Sequence, residues 1–98
     1  MCGATTGGVS LDGVDVSKQT VIQGIVHRDD APLAGAYVRL LDATGEFTAE
    51  VPTSATGQFR FFAAPGSWTL RTLAPGAQPV DRPVVAQLGI TEVDVHVA

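Results

Sequence analysis

The sequence predicts an all-β protein, a seven-strand antiparallel Greek-key sandwich, and three observations carry that expectation. Turn-forming residues recur at intervals of about ten positions, the spacing of short strands in a sandwich. The segments between them alternate apolar and polar side chains, as half-buried strands do. No stretch keeps the helical period that a helix-linked parallel sheet would require. The 98 residues suffice for one hydrophobic core but not two.

Residues 1–17 read as a flexible N-terminal arm, rich in glycine and threonine, ahead of a sandwich domain over 18–98. From Gln19 the chain takes on strand character, with β-branched Val21, Ile22, Ile25 and Val26 around Gly24. Asp29, Asp30, Ala31 and Pro32 form a turn cluster in which Pro32 is preset for an early turn position. A second strand is expected over roughly Ala36 to Asp42, and Thr44-Gly45 turns the chain again. The third, Phe47 to Thr53, contains Pro52, which marks a strand end, an edge or a bulge.

Thr56-Gly57 opens the clearest stretch. Phe59 and Phe61 share one face over Gln58 to Ala63, and Pro65-Gly66 turns the chain. Trp68, Leu70 and Thr72 then alternate against Thr69 and Arg71. Ala74-Pro75-Gly76 ends that strand, and a loop holding Pro79 and Pro83 follows. A sixth short strand is expected at Val84 to Gln87. The last, Ile90 to Ala98, places Val93, Val95 and Val97 inward and Glu92, Asp94 and His96 outward.

This register turns Ile22, Gly24, Val26, Val38, Leu40, Phe59, Phe61, Trp68 and Leu70 toward the core. It leaves Val21, Ile25, Tyr37, Leu41 and Phe62 outside, an apolar set suited to a partner or a second copy of the chain.

Composition excludes several functions. The formal net charge is −4, with one lysine and scattered arginines, so the basic stripe that phosphate-backbone binding needs is missing. No apolar run reaches the roughly 18 residues of a membrane span. No basic and apolar leader opens the chain, and a single cysteine makes no internal disulfide, so the expected location is cytoplasmic. Neither a metal nor another cofactor is expected. His27 and His96 lie outward near strand ends and could join Cys2 as three ligands, but no ligand spacing supports a zinc site. Gly57, Gly66 and Gly76 serve turns, since none opens a phosphate-binding helix. No serine lies in an interpretable motif with a histidine and a carboxylate.

Cys2 is the one candidate for a reactive group. Removal of Met1 would set its thiol beside a free α-ammonium, which favours the thiolate, the reactive form. The alternative is an exposed terminal thiol without a role.

The ordered series Ile22-x-Gly24-x-Val26, Pro32-Leu33-Ala34-Gly35-Ala36-x-Val38-x-Leu40, Thr53-x-x-x-Gly57-x-Phe59-x-Phe61 and Pro65-Gly66-x-Trp68-x-Leu70 resembles the carboxypeptidase regulatory-like domain. The resemblance implies a transthyretin-like sandwich. Hydrolytic enzymes of that fold carry inward histidines with arginine and a tyrosine-containing C-terminal tail, whereas this chain ends Asp94-Val95-His96-Val97-Ala98. Adhesin-like sandwiches crosslink lysine to asparagine, and this chain has no asparagine.

A similarity over nearly the whole chain is carried by Met1-Cys2, Gly35 to Asp42, Glu46 to Val51, Ser54 to Gly57, Phe59 to Leu70 and Glu92 to Val95. These segments resemble the SseC-type actinobacterial family of unknown activity. That resemblance implies a non-catalytic accessory protein of sulfur metabolism, partnered by a rhodanese-type thiosulfate sulfurtransferase, with Cys2 as a sulfane-sulfur acceptor. A purely structural, self-associating sandwich with no sulfur role is the alternative.

Overall fold

Residues 18–98, which the computed structural model describes, form strands and turns without a helix. The strands are β1 (Thr20–Arg28), β2 (Ala31–Pro32), β3 (Tyr37–Leu41), β4 (Phe47–Pro52), β5 (Gln58–Phe62), β6 (Gly66–Leu73), β7 (Val80–Ala86), β8 (Gly89–Glu92) and β9 (Val95–Val97). They build two facing sheets, the expected sandwich.

In the first sheet every strand pairs with β1. β5 runs antiparallel to Val21–Ile25, and β8 runs parallel to Thr20–Gln23 on the opposite edge. β2 and β9 divide the remaining length of β1 in the same way. The second sheet has the order β4-β3-β6-β7 and is antiparallel throughout.

The two parallel pairings correct the expectation of purely antiparallel neighbours. The chain travels from β5 to β8 through β6 and β7 of the opposite sheet. The strands of both sheets that lie between β1 and β8 thus make the crossover a helix would otherwise make. The expected final strand is likewise two pieces, β8 and β9, with Val93 and Asp94 between them.

Two local expectations also change. The first turn is Asp29-Asp30, both with positive φ (53° and 62°), closing a two-residue hairpin between Arg28 and Ala31. Pro32 therefore lies in β2 rather than in the turn. The expected loop at Pro83 is strand, because β7 pairs only with β6 and an edge strand tolerates a residue without an N–H.

The core between the sheets holds Ile22, Val26, Val38, Leu40, Phe59, Phe61, Leu70, Val84, Val93, Val95 and Val97. Trp68 packs against this core as expected, though less deeply than Leu70. It is half-buried against the core edge, where its indole Nε1 donates to the Ala64 carbonyl at 2.9 Å. Gly24 faces the core beneath the break between β8 and β9, and an added Cβ would lie 1.7 Å from the Val93 carbonyl oxygen.

Side chains close two loops. The buried Thr53 hydroxyl accepts from the Ala36 N–H at 3.0 Å and donates to the Leu33 carbonyl at 2.8 Å. Asp42 Oδ1 accepts from the Thr44 hydroxyl (2.6 Å), the Thr44 N–H (2.9 Å) and the Glu46 N–H (3.0 Å). The Thr44 hydroxyl first, then the backbone N–H groups, hold the Asp42 carboxyl below the usual aspartate range. The hydrogen-bonded Arg71 guanidinium does the same to Asp81.

A pH dependence follows from both carboxyls being depressed in the folded state. Their contribution is complete above the unfolded aspartate pKa of about 4 and is lost as pH falls through the folded values. Thermal melts between about pH 5 and pH 2 should show the midpoint dropping with acid. The fall should be shallower in Asp42→Asn and in Asp81→Asn. Equal slopes in all three proteins would contradict the assignment.

Candidate functional site

Alternation along β1 points Val21, Gln23, Ile25 and His27 away from the core. Across that face Gln23 is flanked by Arg60 of β5 and Glu92 of β8. Arg60 Nε donates to Gln23 Oε1 at 3.3 Å, and Gln23 Nε2 donates to Glu92 Oε1 at 3.4 Å. The Arg60 guanidinium also lies over Phe62, with its carbon 6.0 Å from the ring centroid. Burial lowers the Arg60 pKa. One of its terminal nitrogens is shut off from solvent without a hydrogen-bond partner.

The five apolar residues expected on the surface divide. Phe62 (58% exposed) and Tyr37 (48%) stand out from the fold, and Ile25 is half-buried. Val21, at 0%, is a correction: it is paired between Phe62 and Ile90 in the centre of a sheet, where cross-strand neighbours shield it. Leu41, at 6%, is the second correction. It sits where the β3–β4 register shifts, paired with Phe47 on one side and Thr69 on the other. Such a shift turns a side chain out of simple alternation.

Phe62 and the exposed Leu88 border a shallow depression of about 480 Å³ that Thr20, Ala63, Ala64 and Pro65 also line. Lys18 and Gln19, where the described chain begins, complete its rim. Its lining mixes polar and apolar groups, with Lys18, Gln19 and Thr20 beside the apolar side chains. Sequence alternation did not single out Leu88, because it stands in the turn between β7 and β8. Exposed Phe47 and Val85 were missed too, being on the edge strands β4 and β7.

The outer face of the second sheet carries a transverse charged row. Glu50, Arg39, Arg71 and Asp81 are successive partners across β4, β3, β6 and β7. Arg39 Nε donates to Glu50 at 2.6 Å, and Arg71 grips Asp81 through two bonds of 2.8 and 3.0 Å. Each arginine thus has its own carboxylate, which offsets their mutual repulsion.

His27 and His96 are register partners on the parallel strands β1 and β9. Their rings stack with centroids 4.9 Å apart and planes 17° from parallel. No group of three or more metal-ligating side chains gathers among the described residues. Cys2, the sulfur-acceptor candidate, lies outside the described residues, as does the expected arm over 1–17. No described helix is long and apolar enough to cross a membrane.

Comparison with known proteins places this geometry. Residues 2–97 match the model of DUF1416, described as a protein family of unknown function. The uncharacterized proteins Rv0814c and Rv3118 of Mycobacterium tuberculosis are each 54% identical over 101 residues, covering 99% of this chain and 99% of theirs. An uncharacterized protein of Mycolicibacterium smegmatis is 53% identical over 87 residues, 88% of this chain and 97% of its own. Among solved structures, the major pilin subunit BcpA of Bacillus cereus superposes with a TM-score of 0.70 at 17% identity, over 82% of this chain and 29% of the pilin. Catechol 1,2-dioxygenase from Acinetobacter gives 0.63 at 14% identity, over 88% of this chain and 54% of the enzyme. At such identities these likenesses establish the β-sandwich alone.

Proposed function

We propose that this chain, which belongs to the DUF1416 family of proteins of unknown function, is a non-catalytic interaction protein whose sandwich docks a partner through the Phe62–Leu88 depression. The supporting observation is that two large exposed apolar side chains, Phe62 and Leu88, both line it, next to Lys18 and Gln19 where the described chain begins. The partner we favour is a rhodanese-type thiosulfate sulfurtransferase, and the setting the cytoplasm. That choice rests on the SseC-type resemblance. Cys2 is the proposed acceptor. Its thiolate attacks the outer sulfur of the enzyme's persulfide, the enzyme's cysteine thiolate leaves, and Cys2 becomes the persulfide with no net oxidation.

The test is intact-mass measurement after incubation with thiosulfate and the sulfurtransferase. Wild type should gain one sulfur atom, and Cys2→Ser should gain none. Phe62→Ser should slow the gain by lowering affinity for the enzyme. An unmodified wild-type protein under turnover would overturn the sulfur role. Loss of complex formation in Phe62→Ser alone would still support the docking face.

A second reading is favoured by the same exposed Phe62 together with exposed Tyr37: a structural module that pairs with its own copies. Light scattering after chromatography separates the two. A dimer that Phe62→Ser dissociates, with no binding to the sulfurtransferase, selects self-association.

A further inference from the structure

We propose that His27 and His96 form a two-histidine chelate for a borderline divalent transition-metal ion, Zn2+ or Cu2+, that clamps the C-terminal strand to the centre of the first sheet. Cross-strand register makes the pair, since β1 and β9 place the two residues directly side by side. The stack leaves the imidazole edges unused: among the described residues neither ring has a hydrogen-bond partner, and each has the other as its only ring contact. Neutral imidazole is the commonest protein ligand for such ions.

The spacing suits chelation. A metal–nitrogen bond of about 2.0 Å puts the ion about 3.2 Å from each ring centre. Two such rings subtending about 90–109° at the ion have centres about 4.5–5.2 Å apart. The observed centroid separation of 4.9 Å falls inside that window. Because the rings are now nearly parallel, each must rotate about its χ2 torsion to aim a nitrogen at the ion. The strands need not move.

The surroundings supply charge but not further ligands. Asp29 and Asp30 follow β1 in the adjoining turn, and Asp94 precedes β9, all three exposed. Nearby cationic side chains are engaged elsewhere: Arg28 donates to the Ala98 and Pro75 carbonyls, and Arg82 to the Asp94 carbonyl. Since no third ligating side chain joins the pair among the described residues, water fills the remaining positions. Such an open site binds reversibly, and Cu2+ binds more tightly than Zn2+ by the usual order of first-row metals.

Calorimetric titration of the untagged full chain with Zn2+, Cu2+ and Mg2+ tests the assignment. Both transition metals should bind at one site per chain, and Mg2+ should not, for want of oxygen ligands. His27→Gln and His96→Gln, both partly or wholly exposed and so expected to fold, should each weaken binding at least about tenfold. Copper paramagnetic resonance, recorded in a Cys2→Ser background to keep the thiol from reducing the ion, should report two imidazole nitrogens. Zn2+ should raise the melting temperature of wild type and not of either variant. Absence of binding, or an affinity that both histidine substitutions leave unchanged, would overturn the site.

Discussion

Replacing Gly24 with alanine should destabilise the fold by about 3 kcal/mol or more, a large share of the roughly 5–15 kcal/mol that holds a typical domain folded. The new methyl would meet the Val93 carbonyl oxygen at 1.7 Å and its carbon at 2.6 Å, with the Phe59 ring tip 3.0 Å away. Neither backbone atom can swing aside as a flexible side chain would. Val93 is anchored by its own N–H, which donates to the Gln23 carbonyl at 2.8 Å. Relief would require pulling the last strand off β1. Gly45→Ala is the control: its φ of +88° brings backbone strain of about 1 kcal/mol, but nothing lies within 4 Å of the added methyl. Urea unfolding of both variants separates steric collision from backbone preference. Equal midpoints for the two would refute the close-packing argument.

Thr53→Val should cost about 3 kcal/mol although it preserves shape. The hydroxyl is the partner of two loop groups, the Ala36 N–H and the Leu33 carbonyl, and the site is buried. Valine fills the space but leaves both unpaired, and an unpaired buried polar group costs more than its hydrogen bond contributed. Thr53→Ser keeps the hydroxyl and should recover most of the loss, short of one buried methyl at about 1 kcal/mol. Serine performing no better than valine would show that the methyl, not the hydroxyl, secures the loop.

The sandwich was legible because alternation is a local property. Val38 and Leu40, Phe59 and Phe61, Val95 and Val97 each declare a buried face two residues at a time, and all six are buried. What escaped was set by partners distant in the chain. Val21 reads as exposed by parity, yet its burial depends on residues 62 and 90 arriving at either side. Leu41 is hidden by a register shift that no pattern within β3 encodes. The parallel course of β8 and β9 depends on which sheet the β6–β7 hairpin joins. The candidate surface was half legible for the same reason. Phe62 and Tyr37 follow from alternation, whereas Leu88 completes the depression only through the turn that carries it. The pairing of His27 with His96 required knowing that residues 69 apart share one register, which β1 and β9 fix.

Because β1 is the common neighbour of four other strands, the first sheet is complete only when segments far apart in the chain meet on it. Its parallel partners over Thr20–Gln23 and Val26–Arg28 lie 69 residues further along the chain. Arg28 reaches further still, donating to the carbonyl of Ala98. Until those distant segments arrive, one edge of the apolar β1 stays bare. Pairings this distant in sequence slow folding, and a strand edge left waiting for them is open to pairing with other chains.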